Sequence, residues 1–169
     1  FGSASGTIGT GLGTSASWTP SMDLNSQIPG STSGTGIIKL ITYNGGTYVG
    51  EKTATLTLSS PSSVIPSVSF TSLTDGNSTV TAKSLGVFVS GKSYPVVSAT
   101  GSGTYGSTIN LWRVVINGST YDKSSLSEIN SVLSGLKTLT GSQTVTLSVR
   151  DTRGRWSASA SKSYTGVAY

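Results

Sequence analysis

Six side chains in this sequence could work as carboxylate acids or bases: Asp23, Glu51, Asp75, Asp122, Glu128 and Asp151. Glycoside hydrolysis needs two of them held close together across a cleft, and their spacing argues for no such pair. Asp75 and Asp151 fall in turn-forming stretches, where Asp commonly bonds its own backbone. Glu128 follows Ser125 at the spacing of a helix capping box. Histidine and cysteine are absent. That removes His-based triads and general bases, thiolates, disulfides and Cys/His metal sites. The chain holds 34 Ser and 25 Thr, and a hydroxyl without a base beside it is no nucleophile. A calcium loop needs several oxygen ligands within a dozen residues, and Asp75-Gly76-Asn77 is too sparse to be one. Asn77-Ser78-Thr79 and Asn117-Gly118-Ser119 match the glycosylation sequon, but in so hydroxyl-rich a chain they read better as turns. The sequence therefore points to a non-enzymatic protein, with no catalytic, cofactor-binding or metal-binding residue assigned.

Contact chemistry is better represented. Arg150, Arg153 and Arg155 flank one turn, and Trp156 follows directly. With Asp151 the three arginines could form a local ion network of little energetic weight, which is the favoured reading. The alternative is a contact with an acidic polymer or a neighbouring subunit. Sugar recognition uses exposed aromatics beside polar groups, and Trp156, Tyr105 and Tyr121 are the candidates. Trp112 lies mid-strand and is read as core; Trp18 has a weaker claim to the same. The net charge is +5, but the lysines are scattered and do not interleave with aromatics as a nucleic-acid groove requires. No apolar run approaches the ~20 residues of a membrane helix. No signal peptide is visible at Phe1-Gly2-Ser3-Ala4, and the lack of an initiator Met predicts a fragment or a processed product.

The elements that must position these residues are strands. Only 10% of residues are charged and 34% hydrophobic. With so little charge, and with many Val, Ile, Thr, Tyr and Trp, the composition favours sheets over disorder. Phe1 to Gly13 reads as a weak strand or turn-rich segment. Met22 to Gly30 reads as irregular, packing one or two apolar side chains. Gly36 to Tyr43 is a strand, Asn44-Gly45-Gly46 a hairpin turn, and Tyr48 to Leu58 the return. There Ala54, Leu56 and Leu58 alternate onto one face. Pro61 and Pro66 within a Ser-rich run mark a boundary, giving domains 1–62 and 63–169. The second begins with a strand at Ser67 to Thr71 and a turn at Thr74 to Asn77. Short strands follow at Val87 to Val89 and Tyr94 to Ala99, then a loop from Gly101 to Ser107. Thr108 to Ile116 is the strongest strand, with Ile109, Leu111, Arg113 and Val115 on one face and Asn110, Trp112, Val114 and Ile116 on the other. Asn117-Gly118 turns it into Ser119 to Tyr121. One short helix is expected over Leu126, Ile129, Val132 and Leu133, ended by Gly135. Thr144 to Val149 and Trp156 to Tyr164 complete an all-β sandwich.

Two stretches carry a resemblance. The first includes Trp18-Thr19-Pro20, Ile28-Pro29, Ser33-Gly34-Thr35-Gly36, Thr42 to Gly46, Val49 to Lys52 and Leu56-Thr57-Leu58. The second includes Ala99 to Ile109, Val149-Arg150-Asp151-Thr152-Arg153-Gly154-Arg155 and Ser159 to Ser163, the Val149–Arg155 hairpin being the most specific piece. Together they resemble a family of siphophage minor structural proteins, found in phages of streptococci and related Gram-positive bacteria. The resemblance implies tandem immunoglobulin-like β-sandwich modules in a tail or fibre protein on the virion surface, with no catalytic residues to carry over. It also implies truncation at both ends: an incomplete first module, and Val167-Ala168-Tyr169 leading into a following one.

The resulting expectation is a spacing or adhesion module of a phage tail or tail fibre, located on the virion. Its partners would be other tail proteins, copies of itself, or host cell-wall polysaccharide, with no nucleic acid, membrane or cofactor. Surface contacts would come from Arg150, Arg153, Arg155, Trp156, Tyr105 and Tyr121. A repeat of a bacterial surface adhesin, or a carbohydrate-binding module, is the alternative.

Overall fold

The structure is a computed structural model and describes residues 1–83 and 86–169. It is mostly β and divides into two compact units, Phe1–Val64 and Ile65–Tyr169. Among the described residues no helix is long and apolar enough to cross a membrane.

Unit 1 is built on one long hairpin. Strand β1 (Ser33–Asn44) pairs antiparallel with β2 (Thr47–Ser59) from Ser33↔Ser59 to Asn44↔Thr47. The two-residue turn between them has Gly45 at φ 54° and Gly46 at φ 87°, the left-handed pair that the right-handed twist of a hairpin favours. The irregular stretch expected after Ser21 is a short 3-10 helix, Met22–Gln27, with the Ser21 hydroxyl accepting from the Asp23 amide at 3.2 Å. Its buried residue is Asn25, whose amide donates to the Met22 carbonyl at 2.6 Å. Residues 1–21 contain turns and bends but no strand, so the turn-rich expectation holds there and the weak strand does not. Phe1 and Ile28 pack closely over Gly34, where a Cβ would stand 2.9 and 2.8 Å from them. Of the alternating trio on β2, Leu56 and Leu58 are half-buried and Ala54 is exposed.

Unit 2 is layered. Strands β3 (Ser67–Asp75) and β5 (Pro95–Ser102) form a two-stranded antiparallel sheet. Strands β4 (Phe88–Val89), β6 (Ile109–Ile116), β7 (Ser119–Lys123), β8 (Gly141–Asp151) and β9 (Ala160–Val167) form a five-stranded sheet in the order β4-β9-β8-β6-β7. The core lies between the layers: Val97 of β5, Val114 and Ile116 of β6, Val145 and Leu147 of β8, and Tyr164 of β9, with Val68, Phe70 and Leu73 of β3 packed against them. Burial of such side chains contributes about 1.5–3 kcal/mol each relative to exposure.

Helix α2 (Leu126–Gly135) closes the core with Ile129 and Leu133, both fully buried. Its start is the expected capping box: the Ser125 hydroxyl accepts from the Glu128 amide at 3.2 Å, and the Glu128 carboxylate accepts from the Ser125 amide at 3.1 Å. Asn130 then does for β5 what a further strand would do. Its side-chain oxygen accepts from the Val97 amide and its NH2 donates to the Val97 carbonyl, both at 2.9 Å, so these backbone groups at the edge of β5 are satisfied.

Three local expectations need correction. Thr74 and Asp75 belong to β3, and Asn77 caps a five-residue helix α1 (Ser78–Ala82), so unit 2 has two helices among its described residues. The last strand starts at Ala160 rather than Trp156, which makes only an isolated bridge to Arg150. Finally, the register of β6 against β8 shifts between Ile109 and Leu111. That irregularity breaks strict alternation. Ile109 therefore joins Trp112 against Gly101 of β5, where a Cβ would meet both side chains at 3.2 Å.

Candidate contact surface

The strongest concentration of chemistry lies on the outer face of the five-stranded sheet. Val114 and Ile116 of β6 point inward, so Arg113 and Val115 point outward, with Ser148 and Thr146 of β8 beside them in register. Two hydroxyl pairs continue the face: Thr144 with Ser163 and Thr146 with Ser161, each at 2.8 Å. On β7 the register partner of Arg113 is Asp122. The guanidinium donates to both carboxylate oxygens, Nε to Oδ1 and Nη2 to Oδ2, each at 2.7 Å. This fork-to-fork contact is the strongest geometry available to such a pair. It raises the pKa of Arg113, and with added attraction from Arg150 it lowers that of Asp122.

Trp156 is held on this platform. The Arg113 guanidinium lies 4.1 Å from the centre of its ring system, and that of Arg150 lies 5.8 Å away. Both distances are within cation–π range. Arg150 also donates from Nε to the Asn110 side-chain oxygen at 3.4 Å. Trp156, Arg113 and Arg150 are all half-buried. The cluster carries two guanidinium charges against one carboxylate, beside a half-covered indole and a row of hydroxyls.

Arg153 behaves differently, and here the expected surface contact is corrected. Its side chain is 0% exposed, as is that of Asp151, and the two charges lie 3.6 Å apart. Nη1 donates to the Thr104 carbonyl at 2.7 Å and Nη2 to the Tyr105 carbonyl at 2.9 Å. Asp151 Oδ1 accepts from the amides of Arg153 and Arg155, both at 3.0 Å. The turn after β8 is thereby tied to the loop at 103–107. The Thr152 amide adds a bond to the Thr108 carbonyl at 2.9 Å. Gly103 has no room for a Cβ, because the Ser107 carbonyl lies against it. The expected local contact between Arg153 and Asp151 is present, but it is buried and acts as a lock rather than a surface contact. An arginine suits it because one planar fork reaches two carbonyls at once.

The remaining candidates disperse. Tyr105 sits half-buried at φ 48° in the loop that Arg153 pins. Tyr121 packs against the core cluster. Arg155 is half-buried beside the Asp151 turn. The structure thus brings together Arg150 and Trp156, and adds Arg113 and Asp122, which sequence reasoning missed. A signal for them existed. The two-residue Asn117-Gly118 turn fixes Ile116 opposite Ser119, and counting back from it sets Arg113 opposite Asp122.

The carboxylates each meet a neighbour. Asp75 Oδ1 accepts from the Asn77 amide at 2.9 Å, and Oδ2 accepts from the Ser93 hydroxyl at 2.6 Å. Glu51 pairs with Lys39 at 3.0 Å, and Asp23 accepts from the Ser21 hydroxyl at 3.3 Å. Among the described residues no three His, Cys, Asp or Glu side chains gather where a metal ion could be held. A shallow cleft of about 250 Å³ in unit 1 is lined by Phe1, Met22, Leu24, Ile28, Leu58 and Pro61 among others, with no Asp, Glu, Lys or Arg side chain.

Comparison with known proteins gives one family. A family described as "Siphovirus protein of unknown function (DUF859)" matches residues 1–169, in agreement with the siphophage resemblance carried by the two stretches. No curated protein matches. Among solved structures, the fibronectin(III)-like modules of Clostridium thermocellum CbhA show a TM-score of 0.39 at 13% identity. That likeness covers 82% of this chain and 79% of that chain.

Proposed function

This chain belongs to the siphovirus protein family that matches it from end to end, and on that premise we propose that it is a non-enzymatic module of the phage tail or a tail fibre. In this reading the two units are immunoglobulin-like modules in tandem, the first of them incomplete on its own. They space or present a surface that contributes to attachment at the host cell. The observation that carries the non-enzymatic part is the use made of the carboxylates. Asp75, Asp122, Glu128 and Asp151 are each engaged in holding a turn, a strand pair or a helix start, which gives these carboxylates structural work to do. Family membership favours the phage over the bacterial surface adhesin that composition left open.

The surface offered to the host is the Trp156 face. An indole flanked by guanidinium groups and hydroxyls suits a flat, weak contact with cell-wall polysaccharide, through ring stacking and hydrogen bonds. Weak contacts become effective when several copies act together. Other tail proteins, or copies of this chain, would be the remaining partners. Mass spectrometry of purified virions is expected to find its peptides; virions lacking them overturn the assignment. Sedimentation of the purified chain with isolated host cell walls then separates two roles. Saturable binding that Trp156→Ala lowers at least about tenfold, a hot-spot loss, supports attachment through this face. Absence of binding makes the chain a spacer.

A further inference from the structure

Unit 1 leaves its hairpin unfinished. Phe1 and Ile28 cover only the end nearest Gly34. Further along, Ile37 is 73% exposed, Leu40 59%, Tyr43 60% and Val49 62%, with Ile38, Ile41 and Tyr48 also exposed. These side chains lie on both faces, Ile37 and Ile41 on one, Ile38 and Leu40 on the other. Together they leave both faces of the ribbon apolar and uncovered. Among the described residues, neither strand pairs with anything but the other. A lone two-stranded ribbon is marginal in water. An edge without Pro, and with its charge already neutralised, is a template for another strand.

We propose that the β1–β2 hairpin is a self-association arm, and that its occupant is the same hairpin of a second copy of this chain. The charge pattern is compatible with that partner. Between Gly36 and Leu56 the ribbon carries only Lys39, Glu51 and Lys52, and Lys39 is already paired with Glu51 at 3.0 Å. A strongly charged partner finds almost nothing to match, whereas a second hairpin brings the same nearly neutral apolar band. Antiparallel pairing of β1 with the second β1, centred on Leu40, sets Leu40 against its own counterpart. It sets Lys39 against Ile41 and Ile38 against Thr42 of the other copy. No like charges then stand directly opposite, which is what stable cross-strand pairing requires. Lys52 of each copy falls on the outer flank of the resulting four-stranded sheet. A two-fold arrangement of this kind is closed, so it ends at the dimer rather than growing into a fibre.

Because the chain has no cysteine, a single Leu40→Cys substitution is a clean reporter. Sedimentation of the whole chain is expected to show a species of twice 17.1 kDa. Leu40→Lys should weaken association at least about tenfold, the effect of one central interface side chain. It should leave the melting of unit 2 unchanged, since Leu40 is exposed and lies outside that unit. Under mild oxidation Leu40→Cys should give a covalent dimer faster than Ser119→Cys, which serves as an exposed control on β7. A monomer at all accessible concentrations overturns the proposal. So does a dimer that Leu40→Lys does not weaken, or crosslinking no faster at 40 than at 119; either result assigns the arm to another protein or to another segment of a longer chain. The outcome is independent of whether the Trp156 face binds cell walls.

Discussion

Arg153 shows how one residue can be easy to find and hard to interpret. It belongs to the most specific stretch of the sequence, yet Arg is seldom fully buried unless paired, so a surface role was the natural expectation. Its partners are backbone carbonyls some 48–49 residues earlier in the chain, and no local pattern announces them. Arg153→Lys keeps the charge but cannot fork onto Thr104 and Tyr105 together. Loss of one member of a buried ionic arrangement costs about 3–5 kcal/mol, and Arg153→Ala should approach that in urea unfolding, with Arg153→Lys recovering only part. Arg113 and Asp122 are the opposite case. Their side chains are 36% and 35% exposed, so solvent screening limits the pair to about 1 kcal/mol at most in a double-mutant cycle. Hydrogen bonding to Arg113 lowers the folded pKa of Asp122. The stabilisation is therefore fully present above the unfolded carboxylate value, and is lost as pH falls through the lower folded one. Arg113→Ala should flatten that acid limb. A cycle showing no coupling at pH 7 and low salt would contradict the geometry.

At the scale of elements, what was legible was local. Gly45-Gly46 and Asn117-Gly118 set two hairpins because both central residues of such turns need positive φ. Ser125 and Glu128 set the start of α2 because the two groups satisfy each other's amides. What escaped depends on contacts distant in sequence. The irregularity between Ile109 and Leu111 is defined only against β8, and so overrides the alternation read along β6 alone. Trp156 leaves the strand pattern to lie over Arg113. Helix α1, five residues long, is too short to carry a helical period. The capping box gives a direct check. Ser125→Ala should cost about 1 kcal/mol. Hydrogen bonds from Ser124 and Ser125 hold the Glu128 pKa below its ordinary value. Its contribution should accordingly vanish as pH falls below the ordinary carboxylate range, and Glu128→Gln should remove that part of the acid sensitivity. An acid transition identical in the variant and the parent would exclude the cap as a source of stability.

For the molecule as a whole, the two units differ in how completely they are built. Unit 2 has an apolar core closed by a helix, and its outer sheet face carries the Trp156 cluster. Unit 1 has little core of its own and extends a hairpin whose apolar residues remain uncovered. In the reading proposed above, a chain of the siphovirus family built in this way is part of a larger assembly, with one region for association and another for presenting a surface. Negative-stain microscopy of intact virions labelled with antibody to this chain tests that claim most directly. The account predicts label on the tail, in more than one copy per particle. Virions that contain no label, while the same antibody detects the protein in infected cells, would contradict it.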